Sequence, residues 1–240
     1  LNCIPFFAFS STMLFVIFHV LTVDPSHREY QRISLLNVFR PTRDRFFIET
    51  FDRNMLSEIM TSTHEDDSPS HFSEGTKQCH FEFPDDVFRT FELIWWPFEG
   101  TLNVDFLPPT IQRLVITDCA QRFALRIILL PRESLFINFR SNEIFGSLDL
   151  QHLPRKIEYF NVAQNTISGS VSLDDLPDSL KWLNLSMNWD LGQKVLEYGM
   201  LPRSIDKIYI RGTRMVRLRP ASEDARRDDE REIFCKTYLR

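Results

Sequence analysis

Glycine is scarce in this sequence, with 7 residues among 240, and no glycine-rich phosphate-binding motif is present. That scarcity argues against a phosphate-loop enzyme, because such loops use glycine to bring the backbone close to a phosphate. A basic excess is also missing, since the formal net charge is −5, so general nucleic-acid binding is disfavoured. Neither a nucleophile-elbow motif nor a recognisable Ser, His and Asp arrangement occurs. We therefore predict a protein that is not an enzyme and that carries no cofactor.

Closely spaced cysteines are absent as well. The four cysteines are Cys3, Cys79, Cys119 and Cys235. They form no CxxC pair, which argues against a zinc ribbon and against a dithiol redox centre. Their wide separation favours a reduced, cytoplasmic chain, although the compartment stays open because of the apolar N-terminal segment described below.

One group of histidines could be considered for metal binding. His64, His71, Cys79 and His80 lie near the acidic residues 65–67. Their spacing matches no tight ligand motif, so we interpret the segment as a polar loop and predict no metal site. Stoichiometric zinc in the purified protein would contradict that interpretation.

What the sequence does contain is a regularly spaced pair that ends in proline. It occurs at Phe83-Pro84, Leu107-Pro108, Leu130-Pro131, Leu153-Pro154, Leu176-Pro177 and Leu201-Pro202. Successive pairs are 24, 23, 23, 23 and 25 residues apart. Such spacing is typical of a solenoid in which each repeat forms one turn.

The positions between the pairs are repeated too. After Leu153-Pro154 they hold Ile157, Phe160, Val162, Asn165, Ile167, Gly169, Val171 and Leu173. Neighbouring repeats follow the same order, although Ser134 takes the first apolar place in one of them. This pattern, LPxxLxxLxLxxNxIxGxLxLxxLP, resembles the leucine-rich repeat family over residues 80–219. It is most similar to the kinetoplastid-type repeats and implies an α/β-type leucine-rich repeat solenoid that serves protein binding.

The residue pattern by itself leads to the same architecture. Alternation in the LxL part predicts a short strand with one buried face. A repeat of this size cannot bury its apolar residues alone, so each turn must stack on its neighbours. Equivalent strands then form one parallel sheet, with about 4.8 Å between strands. We expect this sheet on the concave side and mostly irregular chain on the convex side.

An asparagine follows the predicted strand in three repeats, and we call this set the asparagine ladder: Asn142, Asn165 and Asn188. An amide both donates and accepts, so it can satisfy backbone groups in the buried turn after the strand. Cys119 takes the equivalent place in the preceding repeat, and Thr213 takes it in the following one. Trp96 stands there one repeat earlier still, which indicates an end repeat.

The remaining segments flank the repeats. Residues 1–23 carry no charge, and 4–23 could be a membrane or signal segment, a start-site artefact or a buried element. Residues 24–60 are predicted to form a helical cap, with an amphipathic helix over 43–60. Residues 61–79 are predicted to be a flexible linker, and 220–240 a charged tail or cap helix that begins at Ser222.

The register predicts three columns of strand residues that face solvent on the concave side. The first column contains Arg113, Phe136, Tyr159, Trp182 and Lys207. The second contains Val115, Asn138, Asn161, Asn184 and Tyr209. The third contains Thr117, Arg140, Ala163, Ser186 and Arg211. All of them except Val115, Thr117, Ala163 and Ser186 are predicted to contact a partner, because aromatic and arginine side chains usually dominate binding energy.

Three functional hypotheses follow from this organisation. The first is a non-enzymatic interaction module that binds a protein partner on its concave face. The second is a structural subunit buried permanently in a larger assembly. The third is a membrane-anchored or secreted surface recognition protein, which would require residues 4–23 to be an anchor or a signal.

Overall fold

A computed structural model describes residues 16–17, 25–42, 60–61, 78–83, 87–96, 98, 100–225 and 233–235 of the chain. The repeats form a β-solenoid of about six turns with a parallel sheet along one side. The main sheet has eight strands: β3 (Gln78–Glu82), β4 (Thr90–Ile94), β5 (Arg113–Thr117), β6 (Phe136–Asn138), β8 (Tyr159–Asn161), β10 (Trp182–Asn184), β13 (Lys207–Tyr209) and β15 (Phe234–Cys235). Their order across the sheet is β15-β13-β10-β8-β6-β5-β4-β3.

Each parallel strand from β4 to β13 pairs with the equivalent residues of the next repeat. Phe136 lies opposite Tyr159, Tyr159 opposite Trp182, and Trp182 opposite Lys207. Residues one repeat apart in sequence are therefore neighbours across the sheet. This register confirms that the predicted columns run across the strands.

The first pair of the sheet departs from the all-parallel arrangement that we expected. Strand β3 runs antiparallel to β4, with Phe81 opposite Phe91. The seven residues between the two strands, 83–89, are too few for the crossover that a parallel pair needs, which takes a dozen or more. Strand β3 therefore ends the sheet with a hairpin instead of a further turn of the solenoid.

The interior is a continuous apolar core that runs the length of the solenoid. It contains one set of buried side chains from each repeat, among them Ile157, Phe160, Val162, Ile167 and Leu173. Each of these is at most 3% exposed. Because a turn touches only the turns beside it, this core confirms the stacking that the repeat length requires.

The side away from the main sheet is made of short elements. Three turns of 3-10 helix occupy Val104–Phe106, Ile127–Leu129 and Leu150–His152. A second, three-stranded parallel sheet joins β7 (Phe145–Gly146), β9 (Thr166–Gly169) and β11 (Asp190–Leu191). Near the C-terminal end, β12 (Val195–Tyr198) pairs in parallel with β14 (Arg217–Pro220).

A short helix packs at the N-terminal end of the solenoid. Helix α1 (Pro25–Phe39) buries Leu35, Val38 and Phe39, and the Phe39 ring stacks on Phe91 of β4 with ring centroids 5.8 Å apart. The backbone N–H of Asn103 donates to the carbonyl of Val38 at 2.9 Å. Apolar and polar contacts thus fix α1 against the first turns, as a cap must be fixed.

Several predicted features fall wholly or mostly outside the described residues. The amphipathic helix over 43–60 is one, apart from Met60, which lies in β2 (Met60–Thr61). Most of the apolar segment 1–23 is another, although β1 (Val16–Ile17) pairs antiparallel with β2. Within the part of the chain that the structure describes, no helix is both long and apolar enough to cross a bilayer.

The C-terminal end begins with a helical turn at 223–225. The hydroxyl of Ser222 accepts a hydrogen bond from the backbone N–H of Ala225 at 3.2 Å, which is the N-cap arrangement expected for this serine. Further along, β15 pairs in parallel with β13 and extends the main sheet by one strand. Part of the predicted charged tail therefore belongs to the sheet.

Candidate interaction surface

The open face of the main sheet carries three aromatic rings in a row, one on each of three adjacent strands. We call Phe136, Tyr159 and Trp182 the aromatic stack. The Phe136 and Tyr159 centroids are 4.2 Å apart with planes 6° from parallel, and those of Tyr159 and Trp182 are 4.4 Å apart with planes 7° from parallel. Strand spacing sets these distances, because equivalent residues lie about 4.8 Å apart across a sheet.

The Arg113 guanidinium lies at the N-terminal end of the aromatic stack. The Arg113 guanidinium carbon lies 4.1 Å from the centroid of the Phe136 ring, within cation–π range. The same guanidinium forms an ion pair with Glu92 on β4. At the other end, the Trp182 ring contacts Tyr209 in a tilted arrangement with centroids 4.8 Å apart.

The second column is mostly buried, so our prediction that it faces solvent is wrong for four of its five members. Val115, Asn161, Asn184 and Tyr209 are at most 9% exposed. Only Asn138 is half-buried. Thr117 and Ala163 of the third column are buried as well, whereas Arg140 is exposed.

The asparagines of the second column have a structural role that we did not predict. Each side-chain oxygen accepts a hydrogen bond from the backbone N–H two residues further along the chain, just beyond the end of its strand. The donors are Arg140 to Asn138 at 3.2 Å, Ala163 to Asn161 at 3.0 Å, and Ser186 to Asn184 at 3.0 Å. These Asx-type bonds satisfy donors at the point where each three-residue strand ends.

The asparagine ladder on the buried side joins successive turns. The Asn165 oxygen accepts from the backbone N–H of Ile144 at 2.9 Å, and its amide nitrogen donates to the Phe139 carbonyl at 2.9 Å. Both partners belong to the preceding turn. Asn142 and Asn188 make equivalent contacts, each to the turn before its own. The prediction that these amides satisfy buried backbone groups is confirmed.

Cys119 fills the ladder position only in part. Its thiol donates to the carbonyl of Leu93 in the preceding turn at 3.5 Å, as the ladder amides do. A thiol accepts only weakly, so it does not replace the amide oxygen of the ladder. Gln121, two residues further on, makes a separate contact between turns, since its side-chain oxygen accepts from the Leu102 N–H at 2.7 Å. Burial raises the pKa of the Cys119 thiol to about 12, so the thiol stays protonated. We did not predict Gln121, because it lies two residues from the repeated position.

The residue before each ladder position has a left-handed backbone. The six residues are Trp95, Asp118, Ser141, Gln164, Met187 and Gly212, with φ between 54° and 67°. Only one of them is glycine, the residue that adopts this conformation most readily. Each turn of the solenoid therefore leaves its strand through the same bend.

The exposed member of the third column, Arg140, is a preorganised cation. The Arg140 Nε donates to the Gln164 side-chain oxygen at 2.6 Å, and the hydroxyl of Ser141 donates to the same oxygen at 3.0 Å. Among the described residues no carboxylate forms an ion pair with Arg140. Burial raises the pKa of the neighbouring Asp118 carboxyl, while Ser141 and the charge of Arg140 lower it. Arg140 is thus held in place by a neutral side chain.

The Tyr159 hydroxyl lies between the aromatic stack and the second column. It accepts a hydrogen bond from the Asn161 amide at 3.3 Å. Burial raises the pKa of Tyr159, an effect that the Asn161 bond and the charges of Arg140 and Arg113 partly offset. The phenol is therefore protonated at neutral pH, and its proton is held by no acceptor in the described part of the chain.

Two of the four candidate metal ligands, Cys79 and His80, lie in the described part of the chain. Cys79 is buried in the core, and His80 forms an ion pair with Glu82 in the same strand, while His64 and His71 lie outside the described residues. Within the described ranges no cluster of three or more potential ligands is positioned to hold a metal ion. Cys119 and Cys235 are free thiols.

Comparison with known proteins adds no relative to this picture. No protein-family model matches the chain, and neither a curated protein nor a solved structure is significantly similar to it.

Proposed function

We propose that this chain is a leucine-rich repeat protein of the kinetoplastid type that acts as a non-enzymatic interaction module. A protein partner binds the concave face of the solenoid, centred on the aromatic stack and flanked by Arg113 and Arg140. The Leu-Pro spacing and the inter-turn contacts of Asn142, Asn165 and Asn188 support the family assignment.

The main support for a binding role is the position of the aromatic stack on the sheet. Phe136, Tyr159 and Trp182 are half-buried on an open sheet face, although a solenoid has an apolar core available for large rings. Rigid rings lose little side-chain entropy when they are covered, so they are efficient contact residues in interfaces. Stacking across strands also stabilises the sheet, and the experiment below separates that effect from binding.

The experiment is a quantitative capture of partners by three immobilised full-length proteins: the wild type, Trp182→Ala and Trp189→Ala. Trp189 is 65% exposed and lies outside the main sheet, so it is the matched control for loss of an indole. We expect a partner that is retained by the wild type and Trp189→Ala and lost by Trp182→Ala. Equal retention by all three proteins would contradict binding on the concave face.

A further inference from the structure

The aromatic stack presents ring edges, and not ring faces, to a partner. Both faces of Tyr159 are covered, one by Phe136 and the other by Trp182. The outer face of Phe136 is covered by the Arg113 guanidinium. A partner therefore cannot stack a sugar, a base or a cation on the faces of Phe136 or Tyr159.

Ring edges favour partner groups of a different charge from those that ring faces favour. The edge of an aromatic ring carries partial positive charge, while its face carries partial negative charge. Oxygen atoms with negative charge are accordingly favoured along the rim of the stack. The Tyr159 hydroxyl reinforces this preference, because it accepts from the Asn161 amide and its own proton has no acceptor in the described part of the chain.

The charged residues of the sheet face are divided along the solenoid axis. Strands β3 and β4 carry Glu82 and Glu92. From β6 to β13 the three columns contain no acidic residue, but they contain the cations Arg140, Lys207 and Arg211. The face is thus acidic at its N-terminal end and basic over the remaining strands, although the formal charge of the whole chain is −5.

We propose that the concave face binds an extended acidic segment of a partner protein, with a carboxylate of that segment on Arg140. This inference rests on the proposed function and specifies its partner. Arg140 is suited to the role because Gln164 fixes its guanidinium without neutralising it, and a planar guanidinium can bind a carboxylate through two parallel hydrogen bonds. Arg113, the cation at the N-terminal end, is already paired with Glu92, so the acidic part of the segment lies toward β13.

The geometry sets the length of the segment. Four steps of about 4.8 Å separate β5 from β13, which gives a face roughly 19 Å long. An extended chain advances about 3.3 Å per residue, so about six residues cover it. A decapeptide is therefore long enough to reach both the aromatic stack and the basic strands.

Three labelled decapeptides of equal length provide the test: Glu-Thr, Gln-Thr and Lys-Thr, each repeated five times. Fluorescence anisotropy with the full-length chain at about 50 mM salt keeps screening weak. We expect saturable binding of the Glu-Thr peptide and none of the Lys-Thr peptide. Arg140→Gln should raise the dissociation constant at least about fivefold, since removing one partner of a close charge pair is costly. Arg132→Gln, at an exposed arginine outside the sheet, is the matched control and should not change it.

Other results would overturn the inference. Equal binding of the three peptides would remove the charge selectivity, and equal weakening by Arg132→Gln would show a non-specific charge effect. A ten-nucleotide single-stranded oligothymidine that binds more tightly than the Glu-Thr peptide, and does so through Arg140, would identify a nucleic acid as the occupant. If the Glu-Thr peptide fails while partner capture still depends on Trp182, the acidic specificity is wrong and the proposed function stands. Capture that is independent of Trp182 refutes the proposed function itself.

Discussion

The rings of Tyr159 and Trp182 lie face to face on neighbouring strands, with centroids 4.4 Å apart and planes 7° from parallel. Their residues are paired in the sheet register, so the backbone alone brings the rings together. Neither ring belongs to the apolar core that holds the turns together. The stack is therefore an addition to the solenoid, and its contribution to stability can be measured separately from its contribution to binding.

A double-mutant cycle measures the stabilising part. Tyr159→Leu, Trp182→Leu and the double variant should give a coupling free energy of about 0.5–1.5 kcal/mol in urea unfolding, because stacked aromatic pairs gain this much beyond their burial. Tyr159 and Lys207 do not pair in the sheet, so a Tyr159→Leu and Lys207→Leu cycle is the control and should give a smaller coupling. Zero coupling between Tyr159 and Trp182 would mean that the rings do not stack in solution.

The asparagine ladder predicts a strong effect of a small substitution. Asn165→Ala should lower the free energy of unfolding by about 1–3 kcal/mol, because the Ile144 N–H and the Phe139 carbonyl lose their buried partner. Asn138→Ala, on the half-buried face, removes only an acceptor for Arg140 and should cost less than about 1 kcal/mol. An Asn165→Ala protein with unchanged unfolding would contradict the ladder.

Cys119 makes the stability depend on alkaline pH. Burial raises the pKa of its thiol from 9.0 to about 12 in the folded chain, so between these pH values the folded state holds a proton that the unfolded state has lost. The contribution of the thiol is therefore complete below pH 9.0 and falls as the pH rises toward 12. Urea unfolding at rising pH should show this loss in the wild type and a weaker loss in Cys119→Ser. Identical pH profiles would contradict it.

Thiol labelling of the folded chain offers a second observation on the cysteines. In a Cys3→Ser background, a thiol reagent should modify the half-buried Cys235 first and leave Cys119 unmodified at neutral pH. Denaturant should make all three remaining thiols reactive. Rapid labelling of Cys119 without denaturant would show that the turn after β5 is open.

Gly100 lies directly against the chain that follows α1. A side chain there would place its first carbon in a clash with the Pro41 carbonyl oxygen, so Gly100→Ala should displace the segment that follows the helix and cost about 1–3 kcal/mol. At Gly199 the nearest atom would be 3.5 Å away, an ordinary contact, so Gly199→Ala is the control. Amide hydrogen exchange of α1 should accelerate only in Gly100→Ala, and unchanged exchange there would contradict the packing of the cap.

The turns of the solenoid could be predicted from the sequence because their signal is repeated. The 23-residue spacing placed the strands, the ladder and the columns, since an error in one repeat is corrected by the next. Ser134 illustrates how far that reasoning reaches. It is a polar residue at a position that is apolar in other repeats, and it is 0% exposed. Its hydroxyl donates to the Ile111 carbonyl at 3.0 Å, a partner that the sequence pattern does not identify.

Features that occur once, or that depend on neighbouring side chains, escaped prediction. Helix α1 lies within the predicted helical cap 24–60, but no repeated counterpart defines its bounds. The left-handed bend before the ladder is made by residues such as Ser141 and Gln164, and glycine marks it only at Gly212. The burial of Asn161 and Asn184 is not contained in the strand periodicity, which predicts only the face of the sheet on which a side chain lies. The contact between turns that Gln121 makes with the Leu102 N–H lies outside the repeated positions.

Binding of a protein partner through the aromatic stack can be measured as the dissociation constant of the captured partner. Titration calorimetry would compare the wild type, Trp182→Ala and Trp189→Ala. We expect a loss of about 1–2 kcal/mol for Trp182→Ala, which is roughly a five- to thirtyfold rise in the dissociation constant, with a cooperative unfolding transition retained. Trp189→Ala should bind as the wild type does. An unchanged dissociation constant for Trp182→Ala would show that the stack serves the sheet and not a partner.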